Sequence, residues 1–367
     1  MPIYMDRHDV SEIVTAEHVA HLHQQDLKIQ HQFNCKGLTY WFDGKRKTAF
    51  CLIDAPNKEA IQMMHDKAHG EVPHQIIEVD DAVVESFLGR IEDPKKSQNA
   101  ELNIINDPAF RTLMVIAIKQ SSLKDSANTK LNLVIQNHND TIAKTLNKFN
   151  GSIVKQKFDY FLASFDSVTN AVLCAMNIKS LTVDNTLISD VDVNMGLCAG
   201  VPVTESENIF EDTIKMAERF CNVVKGQIVI SSEVKDLYES ENLNISIDKK
   251  IVYALSLTDE RFLSVLMDYV EREWRNTTLN IDLFIKDLGY SKSKLYRSMI
   301  PLTGKSPNTF IKEYRLNKAL QLLNNQVLNI SEIAYETGFN SPAYFTRAFK
   351  KKFGLLPTNF MRGSKTN

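Results

Sequence analysis

The sequence predicts a multidomain α+β protein, with two successive units that mix strands and helices and an all-helical last third. Three observations carry that expectation. A chain of 367 residues can hold two or three cores, at roughly 100–200 residues each. Strand and helix signals alternate up to about residue 258, and strand signals then stop. The charge divides at the same place. Residues 259–367 hold 17 Lys+Arg against 10 Asp+Glu, a balance of +7, whereas the preceding residues hold 26 against 35, a balance of −9. A basic third on an acidic body predicts a polyanionic partner for that third alone.

The apolar share of 43% and charged share of 24% are ordinary for a globular protein. The five cysteines (35, 51, 174, 198 and 221) form no CxxC pair, which suits a reduced cytoplasmic chain better than a disulfide framework. MPIYMDRHDV lacks the basic-then-apolar pattern of a secretion signal. The run LMVIAI is far short of the roughly 20 residues a spanning helix needs. No membrane partner is expected.

In residues 1–90, PIYMDR reads as a strand and TAEHVAHLHQQDLKIQHQF as a helix. GLTYWFD and TAFCLID are strands around a GKRK turn. APNKEAIQMMHDKAHG is a helix with Asn57 as N-cap and Gly70 as its stop, and HQIIEVD is a final strand. The order β-α-β-β-α-β is that of a ferredoxin-like unit. Residues 91–108, polar and with two Asp-Pro steps, read as a linker.

Eight of the nine histidines fall within the first 74 residues. His65 and His69, at i and i+4 on one helix, present both rings on one side, half of a site for a borderline divalent metal. His23 and Asp26, at i and i+3, share a face of the other helix. Both helices of such a unit pack on one side of the sheet, so the four residues are expected to meet as three imidazoles and a carboxylate. Cys51 on a strand is a possible further ligand, although small buried cysteine is the commoner state. Structural histidines, or acid–base groups for an organic ligand, are the alternatives. The segment from MPIYMDRHDV through LHQQD, KGLTYWFD and AFCLIDAPNKEAIQMMHDKAHG to IIEV resembles a small ferredoxin-like family with a nickel-binding member, over residues 1–80. The resemblance implies Ni²⁺ or Zn²⁺ as cofactor or effector, with His23, His65 and His69 as ligands.

Residues 109–258 open with the strand RTLMVIAI and a long helix around LNLVIQNHNDTIAKTLNKFN. GSIVKQ and YFLASF form a strand pair, followed by a helix through SVTNAVLCAMNIKSL; VDVNMGLCAG and GQIVIS are strands around the helix FEDTIKMAERFCNVV. This set resembles the α/β core of class III nucleotide cyclases. That chemistry needs two carboxylates to hold two Mg²⁺. Asp159 fits one position, but RTLMVIAIKQSSLK has neither Asp nor Glu, and Ala117 falls near the expected place. Of the family's transition-state pair, Lys215 replaces the Asn and Arg219 remains. The expectation is therefore a non-enzymatic module, either a ligand-binding relic or, as the face-to-face pairing of the resembled family's domains implies, a dimerisation module that supports a homodimer. A nucleotide cyclase fused to DNA binding is the rival reading.

In residues 259–367, NISEIAYETGFNSPAYFTRAFKKKFG contains Asn329 with Glu332 as a capping box, Gly338 at a tight turn, and Ser341-Pro342 restarting the chain. Phe345, Phe349 and Phe353 make a buried stripe that leaves Ala343, Thr346, Arg347 and Lys350 outward. NIDLFIKDLGYSKSKLYRSMIPLTGKSP repeats this grammar, with Gly289, Ser291 and an outward set of Lys292, Ser293, Tyr296 and Arg297. A short helix with an apolar back and a basic front suits the major groove of double-stranded DNA. The run Ala334-x3-Gly338-Phe339-x-Ser341-x2-Tyr344-Phe345-x-Arg347-x-Phe349-Lys350, with Gly354, Pro357 and Phe360-x-Arg362, resembles the AraC-type regulators over about 105 residues. Ile285, Met299-Ile300-Pro301 and Leu356 depart from the family's usual Ala, Phe-Lys-Lys and Ser/Thr. The resemblance implies base contacts by Arg297 and Arg347, and phosphate contacts by Ser291, Ser341 and Lys350.

Overall fold

A computed structural model describes residues 1–95, 102–120, 129–184, 191–242, 247–325 and 327–363. The first unit comprises β1 (Ile3–Asp9), α1 (Ala16–Ile29), β2 (Lys36–Asp43), β3 (Thr48–Asp54), α2 (Lys58–Ala68) and β4 (Gln75–Val79), its strands antiparallel in the order β2-β3-β1-β4. Thr15 caps α1 by accepting the His18 N–H, and Asn57 caps α2 by accepting that of Ala60. A further helix, α3 (Asp81–Leu88), starts at Asp80, whose carboxylate accepts the Val83 N–H, and stops at Gly89 with φ +80°.

Strand alternation gives this sheet two buried faces. Tyr4, Tyr40, Cys51, Ile53 and Ile76 lie beneath α1 and α2. Met5, Trp41, Phe50, Leu52 and Ile77 form the other face, and they pack on Leu113, Val115 and Leu162 of the second unit.

Part of the expected linker behaves differently from a tether. Residues 96–101 lie outside the described residues. The stretch after them runs along β2: Phe42 N–H donates to the Asp107 carbonyl at 3.0 Å, and Tyr40 bonds the backbone of Asn103 and Ile105. An edge strand has unpaired backbone groups that must be satisfied, and this polar segment covers them. Its composition concealed that role.

The second unit comprises β5 (Arg111–Gln120), α4 (Thr129–Lys148), β6 (Ser152–Lys157), β7 (Tyr160–Phe165), α5 (Val168–Asp184), β8 (Val191–Gly200), α6 (Glu211–Val223), β9 (Ile228–Ile230), α7 (Ser232–Glu241) and β10 (Val252–Ala254). The sheet order is β10-β9-β8-β5-β7-β6. Its first four strands repeat the topology of the first unit, and β9 and β10 add in parallel beside β8. Gly196 allows α6 to lie directly on β8, because a Cβ there would stand 2.7 Å from the Cys221 nitrogen.

The last third is helical: α8 (Leu257–Glu273), α9 (Ile281–Leu288), α10 (Lys292–Thr303), α11 (Pro307–Asn325), α12 (Ile330–Glu336), α13 (Pro342–Phe353) and α14 (Pro357–Gly363). Phe310 and Ile311 of α11 join a core with α8, α9 and α10 that includes Phe220 and Val224 of the second unit. Leu316, Ala319 and Leu323 of the same helix join Ile333, Phe345 and Phe349. One helix thus fixes both helical subunits of this third, and at 19 residues it is about 28 Å long by its rise per residue.

Candidate functional site

Two surfaces hold the residues singled out above. On the first, α9 ends at Gly289 with φ +67° and α10 begins at Ser291, whose hydroxyl accepts the Lys294 N–H. α12 opens with the reciprocal bonds of Asn329 and Glu332, and α13 begins at Ser341, whose hydroxyl accepts the Tyr344 N–H. An N-cap hydroxyl used as acceptor keeps its own O–H free to donate outward, as to a phosphate. Gly338 has φ +77°, and a Cβ there would lie 2.7 Å from the Trp274 carbonyl oxygen. It is therefore required both by conformation and by the close approach of α8's end.

Leu295 and Met299 anchor α10, and Phe345 and Phe349 anchor α13, all fully buried. Outward on α10 stand Lys292, Ser293 and Arg297, with Tyr296 half-buried. Outward on α13 stand Ala343, Arg347 and Lys350, with Ser341 and Thr346 half-buried. Arg297 and Arg347 make no ion pair with any acid among the described residues. Sequence reasoning passed over Tyr344, which is 48% exposed on the same helix. Lys352 turns the other way, its ammonium 3.2 Å from the Glu313 carbonyl oxygen on α11.

The second surface lies between the first unit's sheet and its helices, and His65 is its centre. The ring is 1% exposed and held between two carboxylates, with Nε2 2.9 Å from Asp6 and Nδ1 3.1 Å from Asp26. Burial alone would push this imidazole down; the two carboxylates outweigh it and raise it to about 10. Burial likewise opposes charge on Asp6 and Asp26, but the histidines beside them hold both carboxyls below the usual range. His69 Nε2 lies 3.2 Å from Asp26 and 3.3 Å from His65 Nδ1.

Two groups of donors share His65: Asp26, His65 and His69 on one side; Asp6, His8, Cys51 and His65 on the other. His23 does not join either. Its ring packs on Tyr40 with centroids 4.9 Å apart, and its Nε2 faces Asp93 at 3.7 Å. The expected meeting of three imidazoles is therefore corrected: His23 stands apart, and His8, from β1, joins His65 in a group that does not include His69. Asp6 and His8 were missed because the helix spacing that marks His65 and His69 says nothing about strands. The available signal was the alternation of Tyr4, Asp6 and His8 on the inward face of β1.

In the second unit, Asp159 lies in the β6–β7 turn, where its carbonyl accepts the Ile118 N–H, and Ala117 pairs with the neighbouring Tyr160. Arg219 and Lys215 face α8: Arg219 bonds Asp268 at 2.6 Å and Glu271 at 2.9 Å, and Lys215 reaches Asp268 at 3.3 Å.

A family model described as a helix-turn-helix domain matches residues 285–363, and one described as nickel responsive protein SCO4226-like matches residues 4–79. Over 102 residues the chain is 32% identical to the probable transcription factor PqrA of Proteus vulgaris, covering 28% of this chain and 84% of that protein. The chain belongs to the AraC-type family of transcription regulators. That family is one of regulators, not of enzymes. Similarity also extends to histidine kinase P4 of Formosa agariphila, 38% identical over 106 residues, covering 29% of this chain and only 8% of that protein. A solved structure of SCO4226 from Streptomyces coelicolor A3(2) is 31% identical, covering 21% of this chain and 94% of that chain, with a TM-score of 0.20. Among the described residues no helix is long and apolar enough to cross a membrane.

Proposed function

We propose that the protein is a one-component transcription regulator that binds double-stranded DNA through α10 and α13, with its state set by a divalent metal in the first unit. The observation that carries the DNA reading is the pair of serine-capped helices, each presenting an outward arginine, Arg297 or Arg347, that makes no ion pair among the described residues, from an apolar anchor. Two such helices fixed by α11 suit successive major grooves on one face of the duplex, about 34 Å apart. Ser291, Ser341 and Lys350 position the backbone. Lys292, Ser293, Tyr296, Ala343, Thr346 and the two arginines meet base edges.

The residues of the cluster fit Ni²⁺ or Zn²⁺. Imidazole, thiolate and carboxylate are the donors those ions prefer, and His8 Nε2 is buried 3.4 Å from the Asp6 carboxylate without a well-formed hydrogen bond. Asp6, His8, Cys51 and His65 would hold the ion, or Asp26, His65 and His69 on the other side. A bound cation would replace the His65 proton as the charge that holds Asp6 and Asp26 together. It acts on DNA binding only insofar as it binds one arrangement of the chain better than another. The second unit serves as a non-catalytic, dimer-forming module, its Arg219 and Lys215 committed to α8.

Footprinting on a duplex selected by the purified protein is expected to protect two patches on one face, one helical turn apart; a single patch refutes the double reading. Metal content is expected to fall in His65→Ala/His69→Ala, and equal occupancy in both proteins removes the metal site. Cyclic nucleotide formed from ATP or GTP with Mn²⁺ would overturn the non-catalytic assignment.

A further inference from the structure

The two halves of the helical third pack on separate stretches of α11. Phe310 and Ile311 belong to the core of α8, α9 and α10, and Leu316, Ala319 and Leu323 to that of α12 and α13. Between these stretches stand Glu313 and Arg315. Two residues apart, they project from opposite flanks of the helix, about 200° apart around its axis. Each touches both halves. Arg315 is half-buried, and no acid pairs with it among the described residues. Its Nε donates to the Trp274 carbonyl at 2.8 Å and its Nη2 to the Asn276 carbonyl at 2.7 Å. Trp274 caps the C-terminus of α8, where carbonyls without helical partners and the helix dipole favour a cation. The same guanidinium lies against the turn between α12 and α13: a Cβ on Gly338 would stand 2.9 Å from Nε and 3.0 Å from Cζ. Asn340, in that turn, donates to the Thr277 carbonyl at 3.3 Å. On the other flank, the Glu313 carboxylate pairs with Lys305, in the turn after α10, at 2.8 Å and with Lys352 of α13 at 3.6 Å. Lys352 also donates to the Glu313 carbonyl at 3.2 Å.

We propose that Glu313 and Arg315 are positioning residues that set the twist between α10 and α13, and with it the half-site spacing the protein accepts. This inference rests on the double DNA reading above. α11 alone fixes how far apart the two halves sit. Each half can still rock about its apolar contact with that helix, because such contacts are non-directional. Hydrogen bonds weaken steeply as they bend, so polar joints on opposite flanks resist rotation in both senses. Neither side chain reaches the duplex in this role. Each base pair added between half-sites turns one away from the other by about 34–36°. A clamp that holds the twist of the protein therefore converts half-site spacing into affinity.

The test is fluorescence anisotropy of the full chain on three duplexes: the selected one, the same with one base pair inserted between the half-sites, and one with a single half-site. For wild type, the insertion is expected to cost at least as much as one lost guanine contact, about 5- to 150-fold in affinity. Arg315→Met and Glu313→Gln are each expected to bind the single half-site as wild type does, to bind the selected duplex less tightly, and to lose most of the insertion penalty. Arg315→Lys, which keeps a cation at the end of α8, should restore part of that penalty. A merely structural role would weaken binding to all three duplexes alike and leave the penalty untouched. That result, or a wild-type penalty in both variants, overturns the proposal. Should Arg315→Met fail to fold in urea melts, Glu313→Gln and Arg315→Lys carry the same readout. A flatter salt slope in Arg315→Met on all three duplexes assigns Arg315 to the DNA backbone and overturns its positioning role. Failure of the double DNA reading looks different: wild type is then indifferent to the insertion, and this inference falls with it.

Discussion

Arg347→Ala is the substitution that separates base reading from charge. Arg347 is exposed on α13 and makes no ion pair among the described residues, while Phe345 and Phe349, which hold the helix to its core, are fully buried. Surface substitutions of this kind leave stability within about 0.5 kcal/mol. A loss of DNA binding would therefore report a lost contact and not a lost fold. A guanidinium that grips a guanine edge is worth about 1–3 kcal/mol, which is roughly 5- to 150-fold in affinity. That loss should appear on the selected duplex and not on a random one. A phosphate contact behaves otherwise: it weakens every sequence alike and lowers the slope of log K against log salt by about 0.9. Fluorescence anisotropy at three salt concentrations, on selected and random duplexes, distinguishes the two. Lys350→Ala serves as the phosphate reference, with equal losses on both duplexes expected. Should Arg347→Ala lose affinity equally on both and flatten the salt slope, Arg347 is a backbone contact and the reasoning is refuted.

Three further outcomes follow from the geometry. Gly338→Ala should destabilise the helical third by more than about 1 kcal/mol in denaturant melts, since φ is +77° and the new Cβ meets the Trp274 carbonyl; wild-type stability would show that the turn can relax. Metal binding must displace the His65 proton, and with that ring raised to about 10, affinity should climb about tenfold per pH unit between pH 6 and 9. A flat profile in a chelator competition would remove His65 from the ligands. In the metal-free protein, the raised folded value means that His65 adds stability in full below about pH 6.5. That contribution is lost as pH rises toward 10. Urea melts across this window should slope downward for wild type and less so for His65→Gln; parallel slopes would contradict the two-carboxylate cradle.

The helix-turn-helix pair was legible because its grammar is local. Asn329 with Glu332, Gly338, and Ser341 with Pro342 each act within one turn of chain, so their meaning survives without knowledge of the tertiary fold. The histidine–carboxylate cluster was legible only where helix spacing wrote it, at Asp26, His65 and His69. Asp6 and Cys51 become neighbours through strand register, Asp6 opposite Cys51 in the β1–β3 pair, and no spacing along the chain announces that. His23 went astray for a similar reason. The helix face it shares with Asp26 is real, but the chain after α3 brings Asp93 to meet it. The docking of residues 102–109 on β2 was hidden by composition, because edge pairing uses backbone groups that every residue carries.

One element packs against both the first unit and the helical third, and it is α6. Its Ala217 and Cys221 belong to the core formed with Met5, Trp41 and Phe50, the face of the first sheet opposite the histidine–carboxylate cluster. Its Phe220 and its neighbour Val224 belong to the core of α8, α9 and α10. Gly196 leaves no space between α6 and β8, so a displacement of the helix cannot be absorbed by loose packing there. β1 carries Asp6 and His8 toward the cluster and Arg7 toward the second unit, where its guanidinium donates to the Val203 carbonyl at 3.3 Å. Contiguity of this kind is a path and not yet a switch. A switch needs two arrangements that the metal distinguishes, and the polar quartet of Lys215, Arg219, Asp268 and Glu271 between α6 and α8 is where a second arrangement is cheapest to form. Lys215 and the two acids are partly exposed, so water can take over the Lys215 bonds at little cost, whereas Arg219, 6% exposed, keeps its carboxylate partners.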